Sequence, residues 1–399
     1  MTKIDFMQQQ LRKITRILYR IVLIISSILT IAICVATLPY ALFTNIYDVP
    51  NAKPFMGDTW YNPYSQLDFS DYSVWKKSNF HGHTKAWEGF TDGHSDHHMF
   101  DSVYRTLGYH TIGISNYQFI DSLFKQQSGY VPCYEHGYNV WKRHHVCIGA
   151  HSVVWLDFLF GQSIHHKQTI LDHLRPTMDV LTIAHPRFRG SFDPEDFTAL
   201  SGYDCIEVLN HYRISEEQWD AALTSGHPAW IIGDDDTHNV LAEGETGVCW
   251  TMIHAPGTAS RSEITSALKK GKAFGVTGNR GRVEIYPIRI EVLQDSLYHI
   301  ALSDTATKIE LIGQGGKVLQ SKKNTNDIVY AMKQSDSYVR AKIHGDSSIL
   351  WMNPILRGDG IDTTRPTINS VQTMLYRSMW WMGYGLIIIG YVFLKRRKR

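Results

Sequence analysis

Between Val74 and about Gly278 the chain alternates two textures. Short apolar runs occur at 109–115 (YHTIGIS), 130–134 (YVPCY), 145–150 (HVCIGA), 179–184 (DVLTIA), 204–209 (DCIEVL) and 229–233 (AWIIG). Helix-like stretches with start or stop signals lie between several of them. Asp193-Pro194 offers an N-cap before a proline at the first helical position. Ser215-Glu216-Glu217-Gln218 reads as a capping box. SEITSALKKG, from Ser262, ends in two lysines and a glycine, as helix ends often do. This strand–helix alternation predicts an α/β fold with a largely parallel sheet. From about Val283 to Ile355 the period changes. VEIYPIRIEVL, YHIALS, KIELIG and SYVRAKIH alternate apolar and polar positions between Gly, Asn and Asp turns, which predicts a small antiparallel β domain.

Two segments carry no globular pattern. After Arg20, about twenty residues run without a charge, the length a helix needs to cross a bilayer. Lys3, Arg12, Lys13, Arg16 and Arg20 precede this run, which is too long for a typical signal-peptide core and has no small-x-small cleavage site after it. Near the C-terminus MWWMGYGLIIIGYVFL is followed by KRRKR, with Trp380 and Trp381 as interfacial anchors. Basic residues flank both outer ends, so the positive-inside rule predicts cytoplasmic termini and a body on the far side.

Composition narrows the function. A net charge of +2 argues against a general nucleic-acid-binding surface. Twenty histidines against 40 Lys+Arg fit metal binding, proton transfer or pH sensing. Cys34 lies in the first apolar run; Cys133, Cys147, Cys205 and Cys249 match no zinc ribbon or CxxC spacing, so they read as buried thiols or at most one bridge.

Residues of metal-ligand or general-base type recur where the apolar runs end. VWKKSNF leads to His81 and His83, YVPCY to Glu135 and His136, LTIA to His185, CIEVLN to His211, and AWII to GDDDTH with Asp236 and His238. In a (β/α) barrel the active site is built at the C-terminal strand ends, so residues distant in sequence meet on one rim. A single HxH is as well explained by two hydrogen-bonded strand histidines. The ordered recurrence is not.

HxH, an acid before glycine, P-x-x-E at a strand end, AHP and then DxH, over about Ser78 to Gly278, resemble the PHP (polymerase and histidinol phosphatase) domain. The resemblance implies a PHP-type distorted (β/α)7 barrel whose strand-end rim carries two or three Zn, Mn or Fe ions, most characterised members hydrolysing phosphoesters. It maps the ligands onto His81, His83, Asp92, Glu135, His185, Asp236 and His238, with Glu135 bridging two metals. In KRHHVCIGA strand alternation lets one of His144 and His145 face the site, and His144 is taken as the ligand. Glu207 matches a commonly acidic position with a structural or orienting role. One departure stands out: where the family has TDH, this chain has Asn116 and Tyr117. Two divalent ions are therefore expected, and a third site is doubtful; His94, His97, His98 and His110 are candidates for the missing ligand, but each reads first as a solvent-exposed loop or helix histidine.

The expected organisation is a cytoplasmic N-terminus (1–16), a transmembrane helix (17–43), a linker (44–70), a PHP-like hydrolase domain (71–280), a small β domain (281–360), a linker (361–376), a second transmembrane helix (377–394) and a basic tail (395–399). The expected activity is hydrolysis of a phosphomonoester or phosphodiester by water activated between two metals. Arg187 and Arg189 in HPRFRG are candidates to clamp the phosphate, and Asp236 or His238 to protonate the leaving group. Two rivals remain: a metal-dependent hydrolase of another bond, such as an amide, and a membrane-tethered scaffold with a degenerate barrel.

Overall fold

The computed structural model describes residues 3–280, 282–361 and 365–396; Met1, Thr2 and the last three residues of the basic tail lie outside that range. Helix α1 (Lys3–Leu42) opens the chain and is long and apolar enough to cross a bilayer, the one such helix among the described residues. None of its most apolar stretch is buried, so it is not the core helix of a globular domain. Short strands β1 (Tyr47–Asp48) and β2 (Trp60–Tyr61) then fasten the following segment to the body. The expected linker is thus partly ordered by pairing far along the chain.

The body begins with β3 (Trp75–Asn79), α2 (His97–Thr106) and β4 (Thr111–Ile112). It continues through β5 (Cys133–His136), β6 (His145–Ala150), α3 (Ile164–Leu174), β7 (Met178–Ile183), β8 (Cys205–Leu209), α4 (Glu216–Thr224) and β9 (Trp230–Gly233). Next come β10 (Cys249–His254), α5 (Arg261–Lys269) and β11 (Ala273–Gly278). The antiparallel part comprises β12 (Pro287–Leu293), β13 (Leu297–Gly313), β14 (Lys317–Ala331), β15 (Tyr338–His344), β16 (Ser348–Met352) and β17 (Ile355–Arg357). A last short strand, β18 (Thr367–Ile368), pairs with β1 before helix α6 (Ser370–Arg396).

The fold is mixed α/β, and its sheets are less parallel than expected. Strands β5 to β9 form one sheet in sequence order; β7–β8 and β8–β9 are parallel, β5–β6 and β6–β7 antiparallel. The second sheet has eleven strands and runs β12-β13-β15-β16-β11-β10-β3-β4 along its main path. Its β11–β16 pairing carries hydrogen bonds across the expected boundary near 280, so the β domain is not a separate layer. The physical reason is that β11 has an open edge and β16 supplies the apolar partner, burying Leu350 and Met352 against Phe274 and Val276. Two isolated parallel bridges, Gly82 with Thr237 and Tyr117 with Glu135, join the two sheets, and the candidate site lies beside them.

Local signals fared unevenly. The run at 145–150 coincides with β6. The Ser215 capping box does not close: its hydroxyl accepts from the Arg187 backbone N–H (3.2 Å), while Gln218 Nε2 donates to the Phe192 carbonyl (3.4 Å). Asp193-Pro194 starts a 3₁₀ turn (Pro194–Thr198) rather than an α-helix. Tertiary partners outbid the local cap in the first case. All four body cysteines are free and buried.

Candidate metal centre

The HxH segment leaves β3 and pairs with the loop after β9. The Asp236 N–H donates to the His81 carbonyl (2.9 Å) and the His83 N–H to the Thr237 carbonyl (2.8 Å). This extended pairing turns both imidazoles toward the same side. Gly82 between them is forced by packing: a Cβ there would meet the Phe100 ring of α2 at 2.5 Å. Asp236 itself has φ 51° and His185 φ 26°, strained values at the two strand-end turns that carry ligand candidates.

His81, His83, Glu135, His144, His185 and Asp236 converge and are all buried. The two oxygens of Glu135 face different partners. Oε1 lies 3.3 Å from His81 Nε2, 2.5 Å from His144 Nδ1 and 3.2 Å from His185 Nε2; Oε2 lies 3.2 Å from His83 Nε2. Asp236 Oδ1 is 3.2 Å from His81 Nε2 and 3.3 Å from His83 Nε2. Two groups have ligand atoms close enough to share an ion: His81, His83 and Asp236, and His81, Glu135 and His185.

The donor set fits cations. His81 Nε2, His83 Nε2 and Glu135 Oε2 are buried without a hydrogen-bond partner despite their short separations. Each such atom costs about 1–3 kcal/mol if left unsatisfied, and a metal ion satisfies imidazole nitrogen and carboxylate oxygen together. Electrostatics agree. Burial opposes charge on His81, but Asp236, Glu207 and Glu135 outweigh it and hold its pKa well above the ordinary value. Burial alike opposes ionisation of Glu135, and His144 and His81 outweigh it, holding the carboxyl well below its usual range. Asp236 is lowered in the same way, chiefly by His81 and His83 against its burial. Burial lowers His144, favouring the neutral imidazole that ligates. Several carboxylates in one dry pocket need positive charge, from protonated imidazoles or from metal.

A supporting layer holds these groups. Buried Glu207 lies 3.1 Å from His81 Nδ1 and accepts from the His185 N–H (2.6 Å) and Asn210 Nδ2 (2.9 Å). Asn210 also donates to Asp236 Oδ2 (3.2 Å). Asp234 accepts from the Phe80 N–H, and Asp235 from the N–H groups of Gly247, Val248 and Cys249, so the first two acids of GDDDTH lock the loop and the third enters the site. Asn210 and these two latches were not foreseen; Asn210 follows the apolar run of β8 directly, and extending the strand-end argument to amides would have found it.

Other expected residues sit differently. Asp92 is 60% exposed and belongs to neither metal group; it reaches the site through His238 Nε2 at 3.3 Å, which holds its pKa down at about 2. His238 lies tilted against His83, ring centres 4.4 Å apart, and 3.9 Å from Asp236. Arg187 turns away from the metal groups: its guanidinium donates to the Ile214 carbonyl (3.3 Å) in an exposed position and lines a cleft with Glu195, Glu216 and Lys342. Exposed Arg189 lies over the Phe188 ring. His145 points to the opposite face, against His136 and Phe192. His211 bonds the Asp235 carbonyl. Asn116 pins the Thr84 backbone and hydroxyl (2.9 and 2.8 Å). Tyr117 stacks on His83 at 4.6 Å and meets His144 edge-on at 5.6 Å, so a phenol roofs the pocket. Among the described residues neither metal group includes His94, His97, His98 or His110.

No family model, curated protein or solved structure matches this chain.

Proposed function

We propose that this protein is a membrane-anchored, metal-dependent phosphoesterase of the PHP type, hydrolysing a phosphomonoester or a phosphodiester. The observation that carries the reading is the split of Glu135, whose two oxygens face different histidines as a bridging carboxylate must. His81, His83 and Asp236 would hold one ion and His81, Glu135 and His185 the second, with His144 beside the same Glu135 oxygen and the other oxygen turned to His83. Two divalent ions, Zn, Mn or Fe, supply the charge that gathers phosphoryl oxygens and lowers the pKa of water. Asp236, kept ionised, is a ligand and not an acid. His238, steadied by Asp92, is left as the donor to the departing oxygen. Arg187 points elsewhere, and we assign the phosphate-facing cation to Lys142, whose ammonium lies 5.4 Å from the Tyr117 ring centre. The partnerless buried atoms disfavour the scaffold rival, which has no use for them.

The reading includes the bilayer as a partner. α1 is the anchor, and α6 is read as a second span: it lies against α1, with Tyr384 Oη 3.1 Å from Thr37 Oγ1, and exposes Leu386, Ile387, Ile388 and Ile389. Basic flanks then set both termini in the cytoplasm and the body in the periplasm or outside the cell.

The test is metal analysis and hydrolysis by the detergent-solubilised full chain. About two ions per chain and metal-dependent turnover of a mono- or diester are expected. A metal-replete chain active on amides alone would favour another hydrolase, and one without any hydrolysis a scaffold.

A further inference from the structure

We infer that the mouth of the metal site docks on the bilayer that α1 enters, through a rim of exposed aromatic side chains, and takes its phosphoester from a lipid headgroup. The substrate half rests on the phosphoesterase reading; the docking half does not.

Trp87, Phe119, Tyr138, Trp141, Trp155 and Phe160 are each 42–58% exposed. Four of them adjoin directly, and the Val140 N–H donates to the Leu159 carbonyl (3.1 Å), which sets the segment bearing Trp141 beside the one bearing Phe160. Trp87 lies 6.0 Å from both Phe119 and Trp155, centre to centre, and the Tyr138 hydroxyl donates to the Trp155 carbonyl (3.0 Å). Soluble surfaces rarely leave so much contiguous apolar area uncovered. At one end the patch meets the site: Trp87 Nε1 donates to the carbonyl of Tyr117 (2.8 Å), whose ring roofs His83. At the other end it meets the anchor. The Phe160 N–H donates to the Tyr40 hydroxyl (2.9 Å), which in turn donates to the Gly161 carbonyl (3.3 Å).

Tyr40 stands in the last turn of α1. From Ile21 to Tyr40 the helix rises about 30 Å, the thickness of the hydrocarbon core. Tyr40 therefore falls at the membrane–water boundary, and the rim bonded to it falls there too. Trp and Tyr favour this zone because an apolar ring and a polar edge are both satisfied. Lys142 and Arg143, the latter over the Trp141 ring, add charge that suits anionic headgroups. This continuity commits the patch to the bilayer rather than to a soluble protein. In the reaction water forms one new P–O bond as the ester P–O bond breaks, and the proton passes to the lipid alcohol oxygen.

The full chain, with Cys34→Ser to remove the half-buried thiol, is placed in phosphatidylcholine–phosphatidylglycerol nanodiscs. An environment-sensitive dye is attached at W155C, F160C or, as control, I288C on the distant edge strand β12. Lipids with a shallow spin label should quench the dye at 155 and 160 at least twofold more than at 288. Equal quenching at all three overturns the docking. In parallel, the double variant Trp155→Ala/Phe160→Ala should lose at least tenfold in kcat/KM on phosphatidate in the disc and stay within twofold on p-nitrophenyl phosphate. Equal loss on both esters, or on neither, overturns the lipid-substrate half while the phosphoesterase reading stands. Strong quenching with no hydrolysis of either monoester, of bis-p-nitrophenyl phosphate or of the disc's phosphatidylglycerol overturns the phosphoesterase reading and the lipid substrate with it, and supports docking alone.

Discussion

Glu207→Gln separates metal affinity from folding. The Glu207 carboxylate is fully buried and serves three donors: the His81 ring, the His185 backbone N–H and Asn210. By accepting from His81 Nδ1 it fixes the tautomer that leaves Nε2 free to ligate. Glutamine keeps the shape but removes the charge, and its NH₂ must face one of those donors. Losing one charged hydrogen bond costs about 1.5–3 kcal/mol, which is about 10–100-fold in affinity; outer partners of metal-bound histidines measure in that same range. The fold itself should suffer less. Burial, then the Glu207 charge, push the Asp234 carboxyl up, and a neutral side chain relieves that repulsion. The assay is chelator competition on the solubilised chain beside an unfolding scan of the metal-free form. A tenfold or greater weakening for at least one ion, with little change in the metal-free midpoint, is expected. Unchanged affinity would refute the orienting role. A collapsed metal-free midpoint would show instead that Glu207 is a folding element first.

If Glu135 bridges as proposed, Glu135→Ala should remove nearly all bound metal, from about two ions to near zero by elemental analysis; loss of a single ion would mean it does not bridge. Tyr117→His should raise the metal ratio toward three, since an imidazole then stands beside His83 near His238 and Asp92; an unchanged ratio would mean the roof position is no ligand site. Arg340 is buried and doubly bonded to Asp220 and to Glu216, so Arg340→Met should destabilise by about 3–5 kcal/mol through the stranded acids, read by denaturant unfolding; a change under about 1 kcal/mol would refute that. Burial raises the Glu216 pKa, but Arg340 and Lys342 outweigh it and hold it below normal. Its stabilisation is therefore complete above the unfolded-state value and lost as pH falls through the folded one; Glu216→Gln should flatten the acid limb of stability against pH, and an unaltered limb would place the loss elsewhere.

The ligand candidates were legible in the sequence because a strand end is a local event: an apolar run stops and a polar residue follows. His81, His83, Glu135, His185 and Asp236 were named in that way. That one of His144 and His145 faces the site was legible too, from the two-residue period of a strand, and it is His144 that lies against Glu135. Tertiary structure alone decided directions. Arg187 follows the ligand candidate His185 closely in sequence yet turns to the Ile214 carbonyl, because φ 26° at His185 and the Ser215 hydroxyl fix the turn. Asp92 stands outside the metal groups on an exposed loop, although its TDG motif reads as a ligand. The join of β11 to β16 spans about seventy residues, a pairing no local pattern encodes. Nor does any period announce that Trp87 meets Trp155 on a loop distant in sequence, the loop whose Phe160 bonds Tyr40. Periodicity reports which face of an element is apolar. Which faces then meet is set by packing among residues far apart in the chain.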